Sequence, residues 1–270
     1  MFSIGTTILL LIFAVIAIFP IYMALINSFK TQGEIFTSAL SLPESWSFEN
    51  YLAVFQQIDF LGSVWNTIIV TAVGLIGIVI CGSLAGYKLA RTPGKLSNII
   101  FTLFLASMLV PFHAIMITLS RIANGLSIQN SLIGLGFIYI GLGVNMAIFL
   151  YHGFVKTIPK ELEEAAQIDG CGELKIFVKI IFPLLKPITA TVLILNVLWL
   201  WNDFLLPLIM LTDVNNHTLM LAINALFGEF NTDWPRVLAA LILTSIPVVI
   251  FYIIFQKHIL KGISEGALKS

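Results

Sequence analysis

Six separate runs of about twenty mostly apolar residues constrain this chain more than any other feature. They lie at about 7–29, 64–86, 98–120, 132–154, 184–211 and 237–256. A helix rises about 1.5 Å per residue and a bilayer's hydrocarbon core is about 30 Å thick, so each run is long enough to cross it. Of the 270 residues, 59% are hydrophobic and 10% charged, and the mean hydropathy is +1.01. A soluble domain carries about 25% charged residues. This much apolar surface exceeds what one soluble core hides, so lipid is the expected solvent and the expected fold class is an all-α membrane protein with six transmembrane helices. The first run lacks the basic start and small-residue cleavage site of a signal peptide and is read as a helix.

An even number of spans puts both termini on one side. With the termini cytoplasmic, the inner segments hold Lys88, Arg91, Lys95, Lys156, Lys160, Lys175, Lys179, Lys186, Lys257, Lys261 and Lys269. Only Lys30, Arg121 and Arg236 fall outside. The excess of basic residues inside fixes the expected orientation. Two outer loops are substantial, about 30–63 and 212–236, and the apolar spacing of Phe48-Glu-Asn-Tyr-Leu-Ala-Val-Phe55 predicts a short helix at the membrane surface. No internal repeat is visible. Net charge is zero, which gives no argument for nucleic acid, and Cys81 and Cys171 are read as reduced, structurally minor thiols.

The inner loop at about 155–183 departs most from its surroundings. Pro159 suits a first helical turn, and Glu161, Glu163 and Glu164 favour the positive end of the helix dipole. Leu162, Ala165, Ala166 and Asp169 share one small, shallow face. Asp169-Gly170 is a turn signal, with Gly170 supplying a left-handed residue that ends the helix. A second short helix, about Glu173 to Phe182, carries Ile176, Phe177, Ile180 and Ile181 up to Pro183. Physically this is either a pair of interfacial helices joining two spans or a docking element whose small residues admit another protein's groove.

The residues Glu164-Ala165-Ala166, Gly170, Ile180 and Pro183, in that spacing, resemble the E-A-A signature of ABC importer permeases, with Phe182 where leucine is usual. Pro159-Lys-Glu-Leu-Glu-Glu-Ala-Ala, Asp169-Gly170 and Trp201-Asn-Asp-Phe-Leu-Leu-Pro207 resemble the carbohydrate, maltose-type branch. The resemblance implies a type I importer permease whose loop is a cytoplasmic coupling helix between the fourth and fifth spans. Glu164, Ala165, Ala166, Asp169 and Gly170 would then dock on an ATP-binding cassette subunit. It also implies a second permease subunit, two such ATPase subunits, an extracellular solute-binding protein and a sugar substrate, in a bacterial or archaeal inner membrane. The organisation expected is 1–62 as first helix and outer loop, 63–257 as permease core, and 258–270 as cytoplasmic tail.

Covalent chemistry is not expected. Gly82-Ser-Leu-Ala-Gly86-Tyr-Lys88 is not a phosphate loop: its second Gly comes early and Leu89 replaces Ser or Thr. Gly82 and Gly86 are expected instead to let helices approach closely. The four histidines are scattered, and His113 is expected to be hydrogen-bonded structure before it lines a cavity. No cofactor or metal is expected on this chain; ATP and magnesium would be used by its partners.

Polar residues in a span usually face protein or water. The fifth run offers Asn196, Trp199, Trp201, Asn202 and Asp203 as translocation-path candidates, with Asn196, Trp199 and Asp203 on one face. An indole stacks on a sugar ring while carboxylate and amide bond its hydroxyls. The competing reading makes Asp203 an outer helix end and the Trp residues interfacial anchors. Asn145 and Met108 are weaker candidates, and Pro20, Pro111, Pro207 and Pro247 each interrupt a span. Asp213, Asn215, Asn216, Glu229, Asn231 and Asp233 give the second outer loop enough polarity to meet a soluble protein. The rival class is an ion- or proton-driven carrier, which wants ionisable residues deep in several spans where only Asp203 is found; a same-fold importer of a non-sugar solute is the third reading.

Overall fold

The computed structural model describes residues 4–228 and 232–267. Glu229 and Asn231 of the second outer loop, and Lys269 of the tail, lie outside the described residues. Every element among the described residues is helical or irregular. In order these are α1 (Ile4–Asn27), α2 (Gln32–Thr37), α3 (Glu49–Gln57), α4 (Phe60–Arg91), α5 (Lys95–Ser107), α6 (Phe112–Gly125), α7 (Leu132–Val155), α8 (Glu161–Ile168) and α9 (Glu173–Ile176). A π-helical turn, Phe177–Ile181, leads into α10 (Phe182–Leu184), α11 (Lys186–Asn202), α12 (Leu205–Met210), α13 (Leu219–Asn224) and α14 (Trp234–Ala267).

Four of the six expected spans are single helices: Ile4–Asn27, Phe60–Arg91, Leu132–Val155 and the Trp234–Ile254 part of α14. The other two are broken. Between α5 and α6 the chain turns by 101°. Pro111, extended at ψ 135°, leads into α6, and the ring of a proline pushes its predecessor out of the helical region. The thirteen residues of α5 rise about 20 Å, too little to cross alone. The fifth run was expected to continue from 184 to 211, but α11 stops at Asn202 and is bent by 74° from the Glu173–Leu184 segment. Asp203 is extended, and its Oδ1 accepts the N–H of Leu205 at 3.1 Å, a local turn that competes with the helix. Pro207 then falls in the first turn of α12, where its missing donor costs nothing. Pro20 and Pro247, by contrast, sit inside unbroken helices.

The chain divides into two compact units, Met1–Val64 with Thr218–Val249, and Trp65–His217 with Ile250–Ser270. In the first, residues 4–22 of α1 are exposed all round, as a helix that meets lipid or another chain must be. The segment that follows it is tied to backbone: the Lys30 ammonium is buried and donates to the carbonyls of Ser38 at 3.0 Å and Ala39 at 3.4 Å. Gln32 accepts from the N–H of Trp234 at 3.0 Å and donates to the Thr232 carbonyl at 2.9 Å. The short helix expected near Phe48–Phe55 is α3, which buries Val54.

In the second unit α4 and α7 approach closely because glycine faces a side chain at turn after turn. A Cβ on Gly82 would lie 2.6 Å from that of Ala147, and one on Gly86 2.7 Å from that of Tyr151, so the packing expected of these two glycines is present. Ile78, Ala147, Tyr151, Val155 and Ile158 continue this seam into Ala166, Ile176, Phe177, Ile181 and Leu185, which places the loop at 155–183 on the end of the α4–α7 pair.

Candidate functional site

Helix α8 is built as its sequence dictates. Glu161, Glu163 and Glu164 occupy its first turn. At its other end the N–H of Gly170 bonds the carbonyl of Gln167 at 3.0 Å and that of Cys171 reaches the carbonyl of Ala166 at 2.9 Å. Gly170 takes φ +77°, the left-handed residue such a stop requires. A Schellman motif thus ends the helix and turns the chain into α9.

The five residues expected to dock a partner do not share one surface. Glu164, Ala165, Asp169 and Gly170 are exposed, whereas Ala166 is buried among Ile158, Ile176 and Phe177. The small face expected from Leu162, Ala165, Ala166 and Asp169 is therefore split. Ala166 faces the body of the chain, whereas Leu162 and, further along, Ile168, which is 87% exposed, face out. Sequence reasoning missed the residue that turns inward with Ala166. Glu163 is buried, its Oε1 bonded by Arg91 Nε at 2.6 Å and its Oε2 by Tyr87 Oη at 2.7 Å. Removing one partner of a buried ion pair costs about 3–5 kcal/mol, because the other charge is left without compensation.

The translocation-path candidates also separate. Trp199 and Asp203 meet at a residue not singled out from sequence: Tyr139 on α7 donates its hydroxyl to Asp203 Oδ2 at 2.7 Å and meets the Trp199 ring edge-on, centroids 5.5 Å apart. Trp199 stays 40% exposed and Asp203 half-buried, so the indole and the carboxylate that both meet Tyr139 are each partly accessible. Asn196 is buried, bonds the carbonyl of Val192 at 2.8 Å and fills the space beside Gly143. Trp201 is buried with no partner for Nε1 among the described residues. Asn202 is exposed and bonds back to Leu198. The polar tyrosine hydroxyl inside an apolar run was the available clue to Tyr139. His113, expected to be hydrogen-bonded structure, is exposed, its ring 6.1 Å from that of Phe112.

With this geometry in hand, comparison with known proteins is decisive. Residues 77–265 match the family described as the binding-protein-dependent transport system inner membrane component. The chain belongs to that family. It is a multi-pass membrane subunit of a transport system rather than an enzyme, and by the family's definition it works with a binding protein. Among its relatives, the probable starch degradation products transport system permease protein AmyC of Thermoanaerobacterium thermosulfurigenes is 39% identical over 97% of this chain and 96% of its own. The melibiose/raffinose/stachyose import permease protein MelC of Bacillus subtilis is 37% identical over 97% and 95%. The crystal structure of a bacterial ABC transporter involved in the import of the acidic polysaccharide alginate contains a chain with the same fold. It gives a TM-score of 0.81 at 22% identity, over 95% of this chain and 98% of that one. The α8 loop and the Tyr139–Trp199–Asp203 group both fall inside the residues this inner-membrane component shares with its family.

Proposed function

We propose that this component is a permease subunit of an ATP-driven sugar importer, with an oligosaccharide as its substrate. It forms half of the translocation pathway together with a second permease. Two ATP-binding cassette subunits drive it, and an extracellular binding protein delivers the ligand. Support for a sugar comes from the relatives, whose names speak of starch products and of melibiose, raffinose and stachyose. Trp199 and Asp203, paired through Tyr139, supply chemistry that suits a pyranose: a flat apolar face beside a hydrogen-bond acceptor.

The observation that carries the reading is α8: a short helix with a fixed stop, anchored on one side by Glu163 and Ala166 and presenting Glu164, Ala165, Ile168, Asp169 and Gly170 on the other. A groove on each ATPase subunit grips such a face. Closure of the ATPase pair on ATP and magnesium, which those subunits bind, moves α8 and rocks the spans between inward- and outward-facing arrangements. The excess of basic residues on the α8 side supports a cytoplasmic position for that loop and both termini.

Reconstitution tests this. Vesicles holding both permeases and the binding protein should take up sugar only when the ATPase subunits and ATP are present on the α8 side. Uptake driven by an ion or proton gradient without the ATPase would overturn it.

A further inference from the structure

Arg91 is the last residue of α4, and it reaches two places at once. Its Nε pairs with Glu163 of α8 at 2.6 Å, and its Nη2 donates to the carbonyl of Ile158, just ahead of Pro159, at 2.9 Å. Tyr87, one turn earlier on α4, bonds the other oxygen of Glu163. Both carboxylate oxygens are therefore held by a single helix. The Arg91 and Glu163 side chains are only 11% and 10% exposed. The other ion pairs among the described residues, Lys88–Glu173 and Arg236–Asp233, are far more exposed. An exposed pair yields readily because water compensates both charges, whereas a buried one cannot open without leaving a charge unsolvated.

Packing runs along the same line. Ala166, one turn after Glu163, is buried in the seam that continues α4 and α7, and the Tyr87 ring lies against Phe177 at 5.3 Å. Glu164, the neighbour that carries the family resemblance, points to solvent. Along the backbone α8 is joined to α7 and to α9; among the described residues its polar link to α4 runs through these side chains.

We propose that Glu163, Arg91 and Tyr87 form a rigid tie through which motion of α8 is passed to α4, and that Glu163 and Arg91 are positioning residues for transport, separate from the docking face. This rests on the reading of α8 as the ATPase-docking element. Without the tie, α8 still docks, but its displacement is absorbed by the loop before it reaches the membrane helix.

The test uses the whole importer in vesicles, measuring sugar uptake and ATP hydrolysis together. Glu163→Gln alone leaves Arg91 without its charge partner; Arg91→Met with Glu163→Leu removes both the ion pair and the Tyr87 hydrogen bond and leaves no buried charge behind. The double variant should retain its ATPase subunits through purification and keep its hydrolysis rate within about twofold, while sugar moved per ATP falls tenfold or more. Uptake per ATP at the unaltered level in the double variant would overturn the proposal, as the pair would then serve only to balance charge. Loss of the ATPase subunits from the double variant would overturn it too, because the pair would then build the docking face. If the unaltered importer itself needs no ATPase, the docking reading has failed and not merely the tie.

Discussion

Gly170 carries a left-handed backbone with open space where a Cβ would stand, so a side chain there meets nothing within this chain, and comparing two substitutions separates conformation from shape. An ordinary L-residue pays about 1–2 kcal/mol in that region, and Asn less. Gly170→Val should therefore lower sugar moved per ATP several-fold, with Gly170→Asn close to unaltered; equal effects would mean that shape on the docking face matters and the turn does not. Tyr139→Phe removes one of the two hydrogen bonds that hold Asp203. A hydrogen bond to a charged group contributes about 1.5–3 kcal/mol, so the KM for sugar should rise about tenfold if Asp203 meets substrate. An unchanged KM with a lower melting temperature would reduce Asp203 to a helix end. Gly170 was legible because Asp-Gly after an amphipathic turn has few conformational readings. Glu163 was not, since its partners lie 76 and 72 residues away and three acids in one turn read equally well as a response to the helix dipole.

Elements followed the sequence where periodicity and length agreed, and departed from it at two prolines. Pro20, Pro111, Pro207 and Pro247 look alike in a hydropathy profile. Pro20 and Pro247 leave their helices continuous, while Pro111 and Pro207 stand beside breaks, the second already prepared by the Asp203 turn. Local sequence does not say whether neighbouring helices will satisfy the freed backbone groups. The close seam between α4 and α7 gives a direct comparison. Gly86→Ala would place a methyl 3.0 Å from the backbone nitrogen of His152, and overpacking of this kind costs about 1–3 kcal/mol. Gly141→Ala on α7 meets nothing within 4 Å and should leave the melting temperature unchanged or raised. In the segment between α1 and α3, Glu34 accepts the N–H groups of Thr31 at 2.6 Å and Glu44 at 2.9 Å, which hold its pKa below the ordinary value. A lowered carboxylate pKa stabilises the fold above the unfolded-chain value and is lost as pH falls through the folded one. Protection of the α2 amides, measured against free peptide at the same pH, should accordingly fall on acidification, and Glu34→Gln should flatten that dependence.

For the molecule as a whole, the six apolar runs gave the fold class, and the loop's motif gave the family before any coordinates. Hidden from sequence were the ties between distant segments: α8 to α4 through Glu163, and α7 to α11 through Tyr139 and Asp203. Docking of α8 on an ATPase subunit requires that helix to face the cytoplasm. With Cys81 and Cys171 replaced by serine, Ile168→Cys offers a single thiol at an exposed position on that helix. A membrane-impermeant maleimide should label it in inside-out vesicles and not in intact cells, and bound ATPase subunits should protect it. Labelling from outside intact cells would contradict the account.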